Sequence, residues 1–225
     1  SNNKLYSLFS RFLSIFNPLS HKKLSFQLIS ISNSPRALLI ENFLSSFEAN
    51  EIIRLALPNI TQSVVGQNDG GGIFTSSTRT SSNTWISRST SPLIETIHRR
   101  VANILGVHES ILSTKFNSED IQVVHYAPNE EYKSHYDWGV RGYPESRFVT
   151  VLLYLSDQLD NNSGGETSFP KGEEKNHPGG FKVIPKLGSA VIFYNLLEDG
   201  NGDKDSLHAA LPVRNGEKWL ANFWV

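Results

Sequence analysis

The second half of the chain, from residue 120 onward, is divided into short apolar runs by glycine, proline and asparagine residues. These runs are rich in β-branched and aromatic residues and read IQVVHYAP, RFVTVLLYLS, FKVIP, SAVIFYN and KWLANFWV. Several short strands with turn residues between them are typical of a β-sandwich or a barrel. The pattern therefore predicts an antiparallel β core built from this half of the chain.

The first half adds two segments with the periodicity and the end signals of helices. SSFEANEIIRLALPNI has Ser45 or Ser46 as a capping residue before Glu48. SPLIETIHRRVANILG has a proline near its start and a glycine at its end. The runs LSFQLISIS and ALLIENFL predict two further strands. We therefore expect a β-rich α+β fold with flanking N-terminal helices.

The N-terminal residues 4–16 place apolar side chains at spacings of three and four, which predicts an amphipathic helix. Such a helix can pack on the body of the domain, or serve as a membrane-proximal stem or a partner-binding segment. We divide the chain into this helix and its lead-in, residues 1–33, and a single catalytic domain, residues 34–225.

Composition excludes several classes of site and partner. The chain has no cysteine, so disulfides, zinc–thiolate sites and thiol nucleophiles are all excluded. Its 21 basic and 22 acidic residues give a net charge of −1. Nucleic-acid-binding proteins usually show a basic surplus or stripe. We therefore expect no nucleic-acid partner.

A short motif, SHYDW, places His135 and Asp137 two residues apart. In a strand, residues i and i+2 point to the same face, so the imidazole and the carboxylate would project together. A second histidine would complete the set of two histidines and one carboxylate that leaves open positions on Fe(II). His208 is the best choice among the others, because a strand there can return beside His135. Taken alone, however, a His-x-Asp pair more often has a structural role.

Lys218 stands ten residues after His208, at the head of the apolar run KWLANFWV. A lysine at the start of a strand is usually solvated, but a lysine that faces inward needs a counter-ion. An inward cation near a bound metal would suit a ligand with a carboxylate at one end and a chelating group at the other.

Together these motifs resemble one known family, the Fe(II)/2-oxoglutarate-dependent prolyl 4-hydroxylases of plant and algal type, related to the collagen prolyl 4-hydroxylase catalytic subunit. The resemblance extends from about Ser34 to Val225 and is densest in HYAPNEEYKSHYDW, RFVTVLLYLS, GGETSFP, PKLGSAVIFYN, DSLHAALPV and GEKWLANFW. It implies a double-stranded β-helix (jelly roll) core. It also implies Fe(II), 2-oxoglutarate, O2 and ascorbate as cofactors and cosubstrates, and a proline-rich or collagen-like peptide as the substrate.

Carried over residue by residue, the resemblance also implies the site. Its metal-binding and catalytic residues would be His135, Asp137, His208 and Lys218. Lys218 matches the lysine that pairs with the far carboxylate of 2-oxoglutarate, and Tyr126 and Thr167 match hydroxyls that hydrogen-bond to it. One departure is Asn129, where the family commonly has glycine; asparagine also tolerates a positive φ, so the turn can survive.

On the substrate side, residues 68–85 are rich in glycine, serine and threonine, which predicts a long functional loop. The resemblance implies that this loop closes over the site. The family's mobile loop and peptide groove imply a set of substrate-binding residues: Arg79, Ser81, Trp85, Tyr132, Arg147 and Trp224. Two alternatives stay open. One is a related oxygenase that acts on a lysyl residue, a small molecule or an alkylated base. The other is a non-catalytic jelly-roll module that kept a metal site.

Two N-x-S/T sequons begin at Asn59 and Asn161 and are compatible with a secretory route. The resemblance suggests the lumen of the endoplasmic reticulum or the Golgi. Residues 4–16 could then be the stem that follows a membrane anchor N-terminal to this chain. We expect the chain to act as a monomer.

Overall fold

The structure, a computed structural model, describes residues 10–17, 22–63, 78–113, 117–139, 147–160, 162–173 and 180–225. Its helices are α1 (Ser46–Ala56) and α2 (Pro92–Leu105). Its strands are β1 (Ser10–Asn17), β2 (Lys22–Asn33), β3 (Arg36–Ile40), β4 (Thr61–Gln62), β5 (Ser82–Ile86), β6 (Ile121–Tyr126), β7 (Tyr132–His135), β8 (Val149–Tyr154), β9 (Thr167–Phe169), β10 (Phe181–Val183), β11 (Ala190–Tyr194), β12 (His208–Ala210) and β13 (Lys218–Trp224). The β-rich α+β class is thereby confirmed.

The described strands form two antiparallel sheets. The larger sheet has the order β1-β2-β3-β11-β8-β13-β6-β5-β4, and the smaller has the order β10-β9-β12-β7. Apolar residues from both sheets, among them Leu152, Phe169, Phe193 and Leu220, form one buried cluster. A second cluster lies on the other side of the larger sheet and includes Ile52 of α1 and Ile97 of α2. The larger sheet is therefore covered on both faces.

Alternation along β13 decides which of its residues reach the space between the sheets. Trp219, Ala221 and Phe223 belong to the cluster on the helix side. Because successive side chains of a strand point to opposite faces, the alternate positions 218, 220, 222 and 224 face the other sheet. Lys218 is also the register partner of Tyr126 on β6. The strand pairing thus directs a lysine and a tyrosine to the same side of the larger sheet.

Both helices begin and end at the predicted signals. Ser45 is the capping residue of α1: its hydroxyl accepts from the Glu48 backbone N–H at 3.2 Å, and the Glu48 carboxylate accepts from the Ser45 N–H at 2.8 Å. Helix α2 ends at Gly106, which has a left-handed φ of 72°. The buried Arg100 of α2 donates to Glu48 at 2.6 Å. This ion pair fixes the two helices against each other on the outer face of the sheet.

Two predictions about the N-terminal half are wrong where the structure describes it. Ser10–Asn17 is a strand and not part of a helix; it pairs with β2 along its whole length. An isolated helix of about a dozen residues is marginal in water, whereas pairing with β2 satisfies the backbone groups of both strands. Within 68–85, residues 82–85 belong to β5 and not to a loop. Residues 4–9 and 68–77 lie outside the described residues.

The division of the chain at residues 33 and 34 stays a prediction. Across the part of the chain that the structure describes, no helix combines the length and the hydropathy needed to cross a membrane.

Candidate active site

The three predicted metal-binding side chains meet on the smaller sheet. His208, at the start of β12, is the cross-strand partner of His135, at the end of β7. Asp137 lies in the bend just after β7, so the side chains converge although the strand itself stops at His135. The His135 and His208 Nε2 atoms lie 3.8 Å and 3.6 Å from oxygens of the Asp137 carboxylate. The candidate ligand atoms all lie within 4.8 Å of one another, so the cluster can hold one divalent cation.

Each histidine of the cluster is oriented by a backbone carbonyl. The Nδ1 atom of His135 lies 2.9 Å from the Lys133 carbonyl oxygen, and that of His208 lies 2.9 Å from the Ser206 carbonyl oxygen. A carbonyl only accepts, so Nδ1 carries the proton and Nε2 keeps its lone pair. Metal-binding histidines are typically held in this way.

The Asp137 carboxylate is fixed through one of its two oxygens. Its Oδ2 accepts from the Thr150 hydroxyl at 2.7 Å and from the Trp224 indole N–H at 3.0 Å. The Thr150 oxygen in turn accepts from the Asn195 amide at 2.8 Å, so the threonine proton is directed to the carboxylate. With Oδ2 held by two donors, the carboxylate is fixed in orientation, so it would be ready to contribute an oxygen to a metal.

The electrostatics of the cluster favour the protonation states that bind a metal. Burial, and then the neighbouring His208, lower the pKa of the His135 imidazole. Burial alone would raise the pKa of the Asp137 carboxyl, but His208, His135, Arg147 and the Trp224 N–H together hold that pKa below its usual range. A neutral imidazole and an ionised carboxylate at neutral pH are the forms that a divalent cation requires.

The space between the sheets also contains a buried cation. Lys218 is 3% exposed, and among the described residues its Nζ has no hydrogen-bond partner. The Nζ lies 5.5 Å from the Tyr126 ring centroid and 5.8 Å from that of Tyr154. Burial lowers the pKa of the ammonium to about 7, although the Glu166 carboxylate opposes the shift. A buried ammonium without an acceptor is costly, so this position fits the carboxylate of a bound ligand.

Two hydroxyl groups accompany this cation. Thr167 is 3% exposed, and its oxygen accepts from the Tyr154 hydroxyl at 2.7 Å, which leaves the Thr167 proton free to point elsewhere. Burial raises the pKa of Tyr126 to about 12, so that hydroxyl stays a donor. Tyr154 was not predicted. Its inward position in the run RFVTVLLYLS, two residues after the inward Leu152, is the signal that could have found it.

One cavity brings the candidate metal ligands and the two hydroxyl groups together, and Lys218 lies next to its wall, with the lysine Nζ 5.5 Å from the Tyr126 ring centroid. The volume of the cavity is about 220 Å³, and its wall includes the three candidate metal ligands together with Tyr126 and Thr167. The apolar part of the wall comes from both sheets. The predicted peptide-binding residues that line the same cavity are Arg79, Trp85, Tyr132, Arg147 and Trp224. The donor set therefore fits a metal and an anionic chelating cosubstrate in one cavity.

The first group of peptide-side residues is a stack that ends on a metal ligand. The Arg79 guanidinium lies 4.9 Å from the Tyr132 ring centroid, and the Tyr132 ring is stacked on His135 at 3.7 Å. Ser81 does not reach the cavity. It is fully buried and hydrogen-bonds to Ser63 and Arg79, each at 3.1 Å, so its short side chain supports Arg79 and cannot touch a peptide.

The second group surrounds Trp224. The Arg147 guanidinium lies 3.6 Å from its ring centroid, and the Trp85 ring lies 5.8 Å from it on the larger sheet. Arg147 is also paired with Glu119 at 2.5 Å and lies 3.6 Å from the Asp137 carboxylate. Trp85 is 46% exposed, so this group extends from the metal cluster to the surface.

Comparison with known proteins identifies the class to which this site belongs. A sequence model described as the 2OG-Fe(II) oxygenase superfamily matches residues 121–225, a range that contains all three candidate metal ligands and Lys218. The fold and the site thus define an Fe(II)- and 2-oxoglutarate-dependent dioxygenase.

Whole-chain relatives narrow the class. Prolyl 4-hydroxylase 2 of Arabidopsis thaliana is 35% identical over 232 residues, which cover 94% of this chain and 72% of that protein. Prolyl 4-hydroxylase 5 of the same plant is 34% identical, with 86% of this chain and 69% of that protein covered. The chain belongs to the prolyl 4-hydroxylase family. It is also 31% identical to the Gallus gallus prolyl 4-hydroxylase subunit alpha-1, of which it covers 36%.

Solved structures agree on the fold. The viral collagen prolyl hydroxylase of Paramecium Bursaria Chlorella virus-1, solved as a 2OG complex, matches with a TM-score of 0.64 and 29% identity over 84% of this chain and 94% of that chain. A prolyl-4-hydroxylase from Pseudomonas putida matches with a TM-score of 0.56 at 16% identity, covering 84% of this chain and 91% of that chain, which supports the fold alone. The predicted jelly-roll core is confirmed.

Proposed function

We propose that the enzyme hydroxylates proline at C4 in extended proline-rich or collagen-like peptides, coupled to the oxidative decarboxylation of 2-oxoglutarate. The observation that carries the proposal is the buried Lys218 ammonium, which has no hydrogen-bond partner among the described residues and lies 5.5 Å from the ring centroid of Tyr126, a residue that lines the same cavity as His135, Asp137 and His208. A dicarboxylate that chelates a metal at one end suits this pairing of groups.

The chain contributes binding and orientation. His135, Asp137 and His208 would hold Fe(II), and Lys218 would neutralise the far carboxylate of the cosubstrate. Tyr126 and Thr167, both buried and both able to donate, fix the direction of that carboxylate. The metal, the cosubstrate and O2 supply the oxidative chemistry when bound, while the protein supplies position and electrostatics.

The two arginine–aromatic groups favour a proline-rich peptide as the substrate. A polyproline II segment presents ring faces and few hydrogen-bond donors, and it binds well to aromatic surfaces. Trp85, which is 46% exposed beside Trp224, offers such a surface. Tyr132 and Trp224 line the cavity as well, with Arg79 and Arg147 lying over their rings.

The test is mass spectrometry of poly-proline, Ser-Pro-rich and collagen-like peptides after incubation with Fe(II), 2-oxoglutarate and ascorbate. We expect one added oxygen on proline in at least one peptide, with succinate formed in step, and no product with the His208→Ser variant. Oxygen added to lysine, or a small-molecule product, would support a related oxygenase on another substrate. No 2-oxoglutarate consumption with any peptide would support a binding module.

We propose ascorbate as the reductant that maintains activity. Omitting it should leave the first turnovers intact and cause progressive inactivation, since a reductant restores Fe(II) after uncoupled cycles. Equal progress curves with and without ascorbate would contradict this role.

We propose that the enzyme works as a monomer in the lumen of the endoplasmic reticulum or the Golgi, behind a membrane anchor N-terminal to this chain. Asn59 and Thr61 of the first sequon are both exposed at the end of α1, which supports access to glycosylation; Asn161 lies outside the described residues. Endoglycosidase sensitivity that is lost in Asn59→Gln would support the compartment. The mass in solution, measured by light scattering, tests whether the protein is a monomer. An unglycosylated protein in the cytosolic fraction or a stable dimer would contradict them.

A further inference from the structure

Two aromatic residues alternate with the metal ligands in the motif HYDW, and neither is explained by the proposed chemistry. Tyr136 lies between His135 and Asp137, and Trp138 follows Asp137 directly. Both side chains hydrogen-bond to residues 203–206, which lead into the third ligand, His208. The Tyr136 hydroxyl donates to the Lys204 carbonyl at 3.1 Å.

Trp138 makes the closer connection. Its indole N–H donates to the Asp203 carbonyl at 3.0 Å and to the Ser206 hydroxyl oxygen at 3.2 Å. Ser206 is fully buried, and its hydroxyl donates to the same Asp203 carbonyl at 2.7 Å. The Ser206 carbonyl accepts from His208 Nδ1 at 2.9 Å. Ser206 therefore accepts from the Trp138 indole through its hydroxyl oxygen and orients the His208 ring through its carbonyl.

Gly202 makes room for the indole. A Cβ at this position would lie well inside van der Waals distance of the Trp138 ring, so any other residue would displace the ring. The next residue, Asp203, donates its backbone N–H to the Asn195 carbonyl at 2.8 Å. Asn195 is the residue whose side-chain amide supports Thr150 beneath Asp137. The segment from Asn195 to Ser206 thus connects the supports of two metal ligands.

Packing alone does not explain Trp138. The residue is only partly buried, and it belongs to neither apolar cluster of the described residues. Its N–H instead donates to two acceptors, on Asp203 and Ser206, in the segment that leads to the metal ligand His208. Groups of this kind behind a metal site typically change metal affinity by about 10- to 100-fold when they are removed.

We propose that Trp138, seated in the space left by Gly202, is a positioning residue that holds the His135–Asp137 segment and the His208 segment at the separation required by one metal ion. The inference rests on the proposed function only in taking these three residues as the metal ligands. The indole orders both segments before the metal binds, so the metal does not have to order them.

The test compares Mn(II) binding to metal-free wild type and to Trp138→Phe, which keeps a ring and removes the N–H. We expect Mn(II) affinity, measured by calorimetry and by electron paramagnetic resonance, to fall by about 10-fold or more. Once the variant is saturated with Mn(II), its affinity for 2-oxoglutarate should stay within about twofold of wild type, because the Lys218 region is untouched. Trp219→Phe is the matched control. It removes an indole from the face of β13 that packs on the helix side of the larger sheet, and it should leave Mn(II) affinity unchanged.

Gly202→Ala tests the same claim by moving the ring, and it serves if Trp138→Phe does not fold. It should lower Mn(II) affinity by itself, because the added methyl would overlap the Trp138 ring. Affinity within twofold of wild type in folded Trp138→Phe or in folded Gly202→Ala, or an equal loss in Trp219→Phe, overturns the inference alone. Absence of Mn(II) binding in the wild type overturns the ligand assignment and the inference with it.

Discussion

The metal cluster and the Lys218 region share one interior but differ in how their polar groups are satisfied. At the metal cluster, both imidazole Nδ1 atoms and the Asp137 Oδ2 atom already have partners from the protein. At the other region, the Lys218 ammonium has no hydrogen-bond partner among the described residues. Asp137 and His208 are about as buried as Lys218, so the difference between these groups does not come from solvent access.

This difference indicates which region is complete before its ligand binds. The protein orients the metal cluster through neutral donors and acceptors, and the candidate ligand atoms lie within 4.8 Å of one another. Lys218 is instead left with an uncompensated charge, which favours any anion that can reach it. We therefore expect substitutions at the two regions to have separable effects, on metal affinity at one and on cosubstrate affinity at the other.

The largest expected effect is that of removing a metal ligand. Asp137→Ala should abolish Mn(II) binding and peptide-dependent succinate formation, because the anionic ligand and the target of the Thr150 and Trp224 donors are lost together. Calorimetry and a succinate assay measure the two losses. Glu51→Ala, at a partly exposed position on α1, is the carboxylate control. Full activity in Asp137→Ala would sink the assignment of the cluster.

Next in size is the loss of the buried cation. Lys218→Met should weaken 2-oxoglutarate binding to the Mn(II)-loaded protein by about 100-fold or more, since a charge-assisted bond in a buried site is lost. Mn(II) affinity should not change. The cosubstrate-free variant should also be more stable than wild type near neutral pH, because an unpaired buried charge is removed. Denaturant unfolding measures that gain, and a less stable variant would contradict an uncompensated Lys218.

A smaller effect is expected from a support of the metal cluster. Thr150→Val keeps the shape of the side chain and removes the hydroxyl that donates to Asp137. Mn(II) affinity should fall by about 10-fold, because the carboxylate loses one of the two bonds that hold Oδ2. Thr150→Ser keeps a hydroxyl and should restore most of the affinity. An equal loss in both variants would mean that packing at this position, and not the hydrogen bond, matters.

Some features of these two regions can be predicted from residues adjacent in the sequence, and others depend on residues that are distant in the sequence. Alternation in KWLANFWV and the His-x-Asp spacing depend on local backbone geometry, so they indicated which side chains share a face. How deeply a side chain is buried, in contrast, depends on residues that are distant in the sequence. Arg79 and Ser81 are two residues apart, yet the long side chain reaches the cavity while the short hydroxyl stays buried beneath it.

The N-terminal strand β1 shows that secondary structure, too, can depend on a pairing partner that local spacing does not reveal. Its apolar spacing suits a helix, and only the presence of β2 as a pairing partner makes the strand the better solution. Trp138 shows the same dependence in the candidate active site, because the acceptors of its N–H lie 65 and 68 residues away in the sequence. No pattern within the motif HYDW could reveal those partners.

Measured over a single pH unit, the smallest expected effect is a pH dependence confined to the Lys218 region. The pKa of Lys218 in the cosubstrate-free protein is lowered to about 7 from an ordinary value of 10.5. Between these values the unfolded chain binds more protons than the folded one, so the free energy of unfolding should rise with pH, by at most about 1.4 kcal/mol per pH unit. The same rise should be absent in Lys218→Met.

Cosubstrate binding should show the opposite sign over the same pH range. An anion at Lys218 needs the ammonium, so binding above about pH 7 takes up close to one proton, and the affinity for 2-oxoglutarate should fall by up to about 10-fold per pH unit. Calorimetry in buffers of different ionisation enthalpy counts the protons, and Mn(II) affinity measured in parallel separates the two regions. Proton release on binding, or an uptake that survives in Lys218→Met, would show that another group carries the titration.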